Sequence, residues 1–368
     1  DALPISGIRS RIVAPVAAWL LPDSQRLWCM QTPEKSMADL ASCRLCEWRC
    51  GVDRLQGERG VCRTGRAEVA ATMCSGTLAS YIVTLLGCCY RCLHCNAYRI
   101  SQYPDPGWHY AGHVPAAVLV ADARERIAAY RGPRIRTIGF TGGDPIIHLP
   151  YIEEVAAEVR RQGLDLGIGI STGGFATAAT MARIADLCRV ITLEIKAWSD
   201  PVHRALTGAP VAPVLRNAEY LAREGRDRIR VFRTVVIPGM TDSEVGAIAT
   251  FIASLDPGIP YRLIGFRPNN VLYYHPGPSA EEMDRLCAIS REAGLEDVAW
   301  SGYYPETVPD GIRALAARLV DAYGGDPAAA LTAAYAAACG CPTHPRDCGA
   351  CPLRGNCPAT LREPWRGR

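Results

Sequence analysis

The sequence has no strong bias of charge. Over 368 residues, 40 lysines and arginines stand against 37 aspartates and glutamates, a formal balance of +3. That gives no basic face for nucleic acid or an anionic membrane, and no acidic face for a basic partner. Long apolar runs are also missing. Val13–Leu21 is too short to cross a bilayer and is followed directly by Pro22, so no membrane span is expected. There is no convincing secretory signal, no internal repeat and no low-complexity tract beyond an alanine-rich stretch near the end. The expectation is a cytoplasmic protein with no nucleic-acid or membrane partner, long enough for one large α/β barrel with appendages or for two ordinary domains.

Cysteine is the residue in excess. Of the 17 cysteines, 13 are bunched at 43–62, 88–95 and 339–357. A disulfide scaffold is normally shorter and spreads its cysteines, whereas bunching at ligand spacing favours metal held in a reducing compartment. Cys29, Cys74, Cys89, Cys188, Cys287 and Cys339 read as lone thiols. The opening residues Asp1–Ser6 look like a translated sequencing adapter, and Met37 stands just before the first cysteine group. Residues 1–36 are therefore expected to lie outside the fold.

Downstream, β-rich apolar runs alternate with segments of helical period, the pattern of a parallel sheet. Strands are expected at 79–86, 136–141, 166–171, 189–196, 229–237 and 259–266. Helices are expected at 115–130, 150–162, 176–187, 213–224, 241–254 and 280–293, with Thr241–Glu244 supplying one start. Six such units make a partial (β/α)6 barrel of α/β class, open on one side, with its site at the strand C-termini. The expected division is 37–76 as a four-cysteine metal-binding segment, 77–305 as the barrel, and 306–368 as a helical end carrying the last cysteine group. Two short helices should break at Gly324–Pro327.

Cys88, Cys92 and Cys95 form Cys-x3-Cys-x2-Cys directly after a strand and Gly87. Three thiolates on one tight loop can hold three irons of a [4Fe–4S] cubane and leave the fourth without a protein ligand. A zinc knuckle completed by His94 or Cys89 is the plainer alternative.

This motif resembles that of the radical SAM superfamily. In that superfamily the open iron chelates S-adenosylmethionine, and reductive cleavage yields a 5′-deoxyadenosyl radical. The resemblance extends from about residue 43 to 305. Gly142-Gly143-Asp144 is similar to the superfamily's Gly-Gly-Glu turn, which receives the methionine ammonium. Ser171-Thr172 and Leu193-Glu194-Ile195-Lys196 stand where the pyruvate formate-lyase-activating branch has Asp-Thr and Leu-Asp-Leu-Lys. Arg233 opens that branch's Arg-x-x-x-Ile-Pro-Gly-x-x-Asp motif, here ending at Asp242. By resemblance, Gly142, Gly143, Asp144, Ser171, Thr172, Glu194, Lys196 and Arg233 line the S-adenosylmethionine site. His94 replaces the usual aromatic before the third cysteine, and Arg267 in Phe266-Arg267-Pro268-Asn269-Asn270 replaces a histidine.

The outer cysteine groups have four members each. Cys43, Cys46, Cys50 and Cys62 make a closed set that suits tetrahedral zinc, with a second cubane as the alternative. Cys341, Cys348, Cys351 and Cys357 reproduce the cluster loop of endonuclease III, which favours a second [4Fe–4S] cluster over zinc. No helix-hairpin-helix turn precedes them, so the DNA chemistry is not carried over.

The resemblance implies a peptide or protein substrate and a reductant such as ferredoxin or flavodoxin. The arrangement of parts is similar to the methanogen glutamine C-methyltransferases of methyl-coenzyme M reductase, which implies methylation with cobalamin, although no Asp-x-His-x-x-Gly cobalamin motif occurs. Activation of a glycyl-radical enzyme is the second reading, and an iron–sulfur electron-transfer protein the third.

Overall fold

The computed structural model describes residues 34–102, 112–302, 308 and 310–339. The last four-cysteine group, Cys341, Cys348, Cys351 and Cys357, lies outside the described residues. One eight-stranded sheet runs in chain order: β1 Val69–Ser75, β2 Ser80–Leu85, β3 Thr137–Gly142, β4 Gly167–Thr172, β5 Val190–Glu194, β6 Ile229–Val236, β7 Tyr261–Gly265 and β8 Val298–Ser301. β1 pairs antiparallel with β2, and every later neighbour is parallel.

The strand interiors are apolar because both faces are covered. Ile138, Phe140, Ile168, Ile170, Ile191, Leu193, Phe232 and Leu263 are all buried, as a parallel sheet requires. Helices Ala116–Ala129, Leu149–Arg161, Ala178–Leu187, Ala212–Glu224, Val245–Leu255 and Ala280–Glu292 make the crossovers. A sequential parallel order with helical returns brings the C-terminal ends of β2 to β8 to one rim, and their loops with them.

The six anticipated strands are all present. β1 and β8 are additions. β1 alternates buried and exposed positions and leaves Met73 largely exposed, while β8 has four residues; neither makes the continuous apolar run that marks a central strand. β1 also lies inside the segment expected to be purely metal-binding, and the helix Glu34–Ala41 begins before Met37. Thr241 does not cap its helix. Its hydroxyl donates to the Val235 carbonyl at 2.7 Å and accepts from the Ile237 amide at 2.8 Å, and a 3-10 turn at Asp242–Glu244 leads into Val245–Leu255 instead.

Two further pieces dock on the rim. Residues 45–47 add an isolated strand-like pairing to the loop after β4, with the Glu47 amide on the Phe175 carbonyl at 3.1 Å and the Thr177 amide on the Leu45 carbonyl at 3.1 Å. The helices Asp310–Leu319 and Pro327–Cys339 separate at Gly324 and Gly325, both with positive φ. Tyr335 of the second helix packs with Leu93, Leu206, Phe266 and Leu272, and its hydroxyl pairs with His275 Nδ1 at 2.8 Å.

Candidate active site

The cysteine loop leaves β2 through Leu86 and Gly87, whose φ of +79° suits glycine. It is held by its backbone. The Arg91 amide donates to the Thr207 carbonyl at 2.8 Å and the Leu93 amide to the Leu206 carbonyl at 2.9 Å, both at the end of the helix Asp200–Thr207. A side chain adds to this, with Gln102 Nε2 donating to the Cys92 carbonyl at 2.5 Å. The Tyr90 amide donates to Cys88 Sγ at 3.3 Å, and Cys95 Sγ lies 3.1 Å from Ser101 Oγ. Cys89 is fully buried, its carbonyl accepting from Trp48 Nε1 at 2.7 Å.

The glycine turn after β3 presses on this loop. A Cβ on Gly143 would lie 1.7 Å from the Gly87 carbonyl oxygen, and one on Gly142, at φ +124°, would lie 2.2 Å from that of Leu85. The amides of Gly143 and Asp144 donate to those same two neighbours, Leu85 and Gly87, each at 3.1 Å. Asp144 then turns its buried carboxylate to the next strand. It accepts from Thr172 Oγ1 at 2.7 Å, the Gly173 amide at 2.9 Å and the Ile146 amide at 3.3 Å. Burial pushes its pKa up to about 6 against the pull of these donors. Asp144 is thus a brace between β3 and β4 as well as a candidate ammonium acceptor.

The rim of β4, β5 and β6 carries a second network. Arg233 donates to Glu194 Oε2 at 3.1 Å and to Ser171 Oγ at 2.9 Å. Lys196 Nζ pairs with Glu194 Oε1 and stands 5.7 Å from the centre of the Tyr90 ring. Burial alone would raise the Glu194 carboxyl, but Lys196 and Arg233 hold it far below the usual carboxylate range. Burial would likewise lower Lys196; Glu194 and the thiols of Cys92 and Cys88 outweigh it and keep the ammonium charged. Two cations against one carboxylate leave positive charge facing the cysteine loop, where an anionic group is welcome.

His94 completes this wall. Burial and the Lys196 charge push it down to about 3, so it is neutral, and its buried Nδ1 has no hydrogen-bond partner among the described residues. His203, behind Tyr90, is also neutral, lowered by burial to about 4.

Among the described residues, no three His, Cys, Asp or Glu side chains stand together in metal-ligand geometry. The chemistry of the donor sets nonetheless fits. Cys92 is raised by burial and by Cys88 and Cys95, so these thiols are close enough to repel as thiolates, and Lys196 opposes that effect. Cys46 is raised by burial and then by Cys62, Cys50 and Cys43. Bound cations relieve such repulsion and draw the sulfurs in. None of these cysteines is in a disulfide.

Every expected site residue within the described part sits at the C-terminal rim of the sheet or in the segment docked on it. The sequence did not reveal Tyr90, whose hydroxyl donates to the Gly173 carbonyl at 2.8 Å, or the buried Arg54. Tyr90 lies inside the cysteine motif, a position that was itself a signal.

A three-cysteine loop, a glycine turn laid against it and a cationic strand-end network thus meet at the C-terminal rim of the sheet. Residues 82–252 match the family model described as Radical SAM superfamily. It is 30% identical over 186 residues to the isethionate sulfite-lyase activating enzyme of Desulfovibrio desulfuricans, covering 50% of this chain and 59% of that protein's length. It is 27% identical over 223 residues to the pyruvate formate-lyase-activating enzyme of Staphylococcus aureus, covering 58% of this chain and 84% of the relative. Among solved structures, a domain of pyruvate-formate lyase-activating enzyme from Bacteroides vulgatus aligns with TM-score 0.37 and 22% identity, over 45% of this chain and 99% of that one. Streptococcus suis SuiB bound to S-adenosylmethionine aligns with TM-score 0.42 and 12% identity, over 58% and 48%. Among the described residues no helix is long and apolar enough to cross a membrane.

Proposed function

We propose that the chain is a radical SAM enzyme that cleaves S-adenosylmethionine reductively and takes a hydrogen atom from a peptide segment of a protein, with ferredoxin or flavodoxin as reductant. The observation that carries this reading is the union, at one rim, of the Cys88–Cys95 loop with the Gly142–Asp144 turn and the Lys196–Glu194–Arg233 network. When bound through Cys88, Cys92 and Cys95, a [4Fe–4S] cluster supplies the electron that breaks the S–C5′ bond.

The protein's own groups bind and orient. The backbone of Gly142 and Gly143 admits a ligand closely because neither has a side chain. Asp144, with three donors already, has acceptor capacity left for an ammonium. Lys196 and Arg233 meet a carboxylate, and Thr172 keeps Asp144 aimed. Burial of Tyr90, His94 and Phe175 keeps water from the floor of the site.

Protein activation is favoured over methylation, because the relatives are activating enzymes of two lyases and the sequence has no cobalamin motif. The test is anaerobic reconstitution, reduction and incubation with S-adenosylmethionine. Formation of 5′-deoxyadenosine supports the reading, and its complete absence from protein with a full central cluster rules it out. Bound cobalamin with methyl transfer to a peptide glutamine of methyl-coenzyme M reductase would replace activation by methylation.

A further inference from the structure

The segment from Cys43 to Thr64 contains a buried charge with no acidic partner among the described residues. Arg54 is 2% exposed. Its guanidinium donates to the Gly65 carbonyl at 2.8 and 2.6 Å, to the Ile147 carbonyl at 2.6 Å and to Thr64 Oγ1 at 2.9 Å, and it lies 3.4 Å from His148 Nδ1. No carboxylate pairs with it among the described residues. The ionisable thiol it reaches is Cys43, with Nη1 3.7 Å from Sγ, and Thr64 carries the contact on to Cys62 Sγ at 3.7 Å. A guanidinium stays charged when buried, so this position calls for negative charge close by. Neutral thiols do not supply it. Thiolates on a metal do.

The local backbone suits such a site. Arg49 and Gly51 have φ of +45° and +69°, and the amides of Arg49 and Gly51 fold back on the carbonyls of Cys46 and Cys43, each at 2.9 Å. Gly60 is packed so tightly on Cys50 that a Cβ would lie 2.9 Å from its sulfur. The turns carry Cys43, Cys46 and Cys50, and Gly60, packed on Cys50, stands two residues before Cys62.

The same segment grips the central loop directly at three places and through His148 at a fourth. Trp48 donates to the Cys89 carbonyl at 2.7 Å, and its ring packs 5.2 Å from Phe175, which packs 5.6 Å from Tyr90. Arg91 donates to the Val61 carbonyl at 2.7 Å. The Thr64 methyl fills the space beside Gly87, where a Cβ would lie 1.9 Å from it. Arg54 holds the Ile147 carbonyl, and the neighbouring His148 pairs through Nε2 with the Leu86 carbonyl at 2.7 Å.

We propose that Cys43, Cys46, Cys50 and Cys62 bind zinc as a four-thiolate anion neutralised by Arg54, and that this loaded site is the positioning element that fixes the Cys88–Cys95 loop. Zinc enters as Zn²⁺ and displaces the thiol protons to solvent, with no redox step. The metal half stands by itself; the positioning half rests on the radical SAM reading above.

The test uses the full chain, purified anaerobically. Metal analysis of the wild type is expected to find one zinc beyond the iron–sulfur content. Cys50→Ser should lose it, and Arg54→Gln should weaken zinc retention against a chelator by about tenfold or more, as loss of an outer-shell partner does. The electron paramagnetic resonance signal of the reduced central cluster should change in Cys50→Ser, with S-adenosylmethionine binding weakened by about tenfold. Should Cys50→Ser fail to fold, Trp48→Phe is the second probe, expected to keep zinc while shifting that signal.

Wild-type protein without zinc, or with iron and sulfide at these four cysteines, overturns the metal assignment. An unchanged central signal and unchanged ligand affinity in a zinc-free Cys50→Ser, or in Trp48→Phe if that is the variant that folds, overturns the positioning role. Zinc at the site in a protein that never binds S-adenosylmethionine supports the metal half and sinks the radical SAM reading alone.

Discussion

The two cysteine segments within the described residues differ in one number and in much that follows from it. The segment at 43–62 offers four sulfurs and places a buried arginine against them. The loop at 88–95 offers three and faces Lys196, itself tied to Glu194. Four donors close a tetrahedral or cubane site and leave no position for chemistry; three leave one open. The cations differ in the same sense. Arg54 is held by the Gly65 and Ile147 carbonyls and the Thr64 hydroxyl, as a structural counter-charge should be, whereas Lys196 and Arg233 share one carboxylate and carry surplus charge to the mouth. A closed site stabilises, and the open one beside it can react.

The comparison is broken most directly by removing one sulfur from the open loop. Cys92→Ser is expected to lower 5′-deoxyadenosine formation by more than about a thousandfold, read by chromatography after reduction, while zinc content stays unchanged. Equal loss of zinc and activity would erase the distinction.

Acid is the next probe. Burial lowers His94 and His148 to about 3 and His203 and His275 to about 4; none of the four lies between Cys43 and Cys62 in the sequence. Their folded values lie below the unfolded 6.5, so the stability they contribute is full above pH 6.5 and is lost as the pH falls through the interval toward 4 and 3. At pH 5 the loss is about 2 kcal/mol for each. Asp144 has the opposite sign, since a folded value of about 6 above the ordinary 3.8 returns some stability on acidification. A calorimetric melting temperature that drops between pH 7 and 5 is the expected outcome; a flat profile would show these histidines charged in the fold.

Lys196→Met leaves Glu194 buried with Arg233 as its remaining cation. Affinity for S-adenosylmethionine should fall by about 10- to 100-fold, with a stability loss of about 3 kcal/mol, measured by equilibrium binding and denaturant unfolding. The smallest effect is expected from Tyr90→Phe. It removes the 2.8 Å bond to the Gly173 carbonyl and should cost about 1 kcal/mol with central cluster content intact. A loss of cluster on that change would make Tyr90 more than a strut.

Much of this arrangement was legible beforehand, for physical reasons. Strands buried on both faces print continuous apolar runs, and all six central ones were bounded to within two residues. Ligand loops print their spacing, so Cys88, Cys92, Cys95 and the Gly142–Asp144 turn could be placed on strand ends. What does not print is partnership across distance. Arg54 meets Ile147 over 93 positions, and Glu194 meets Arg233 over 39. No local period encodes either pair. β1 was missed because its face toward solvent dilutes the apolar signal, and β8 because four residues carry too little of it.

The contact of Gly143 with the Gly87 carbonyl has a consequence for how such a protein can diverge. With a would-be Cβ only 1.7 Å from that oxygen, the junction has no room for any side chain, and repacking cannot create it because both sides are backbone. Change of substrate must therefore be written elsewhere. In the loop after β7, by contrast, Tyr273 and Tyr274 stand exposed and Asn269 reaches the His94 carbonyl at 3.4 Å, so these side chains can change without repacking a backbone junction. One junction of the rim thus admits no spelling but glycine, while a few positions nearby tolerate many.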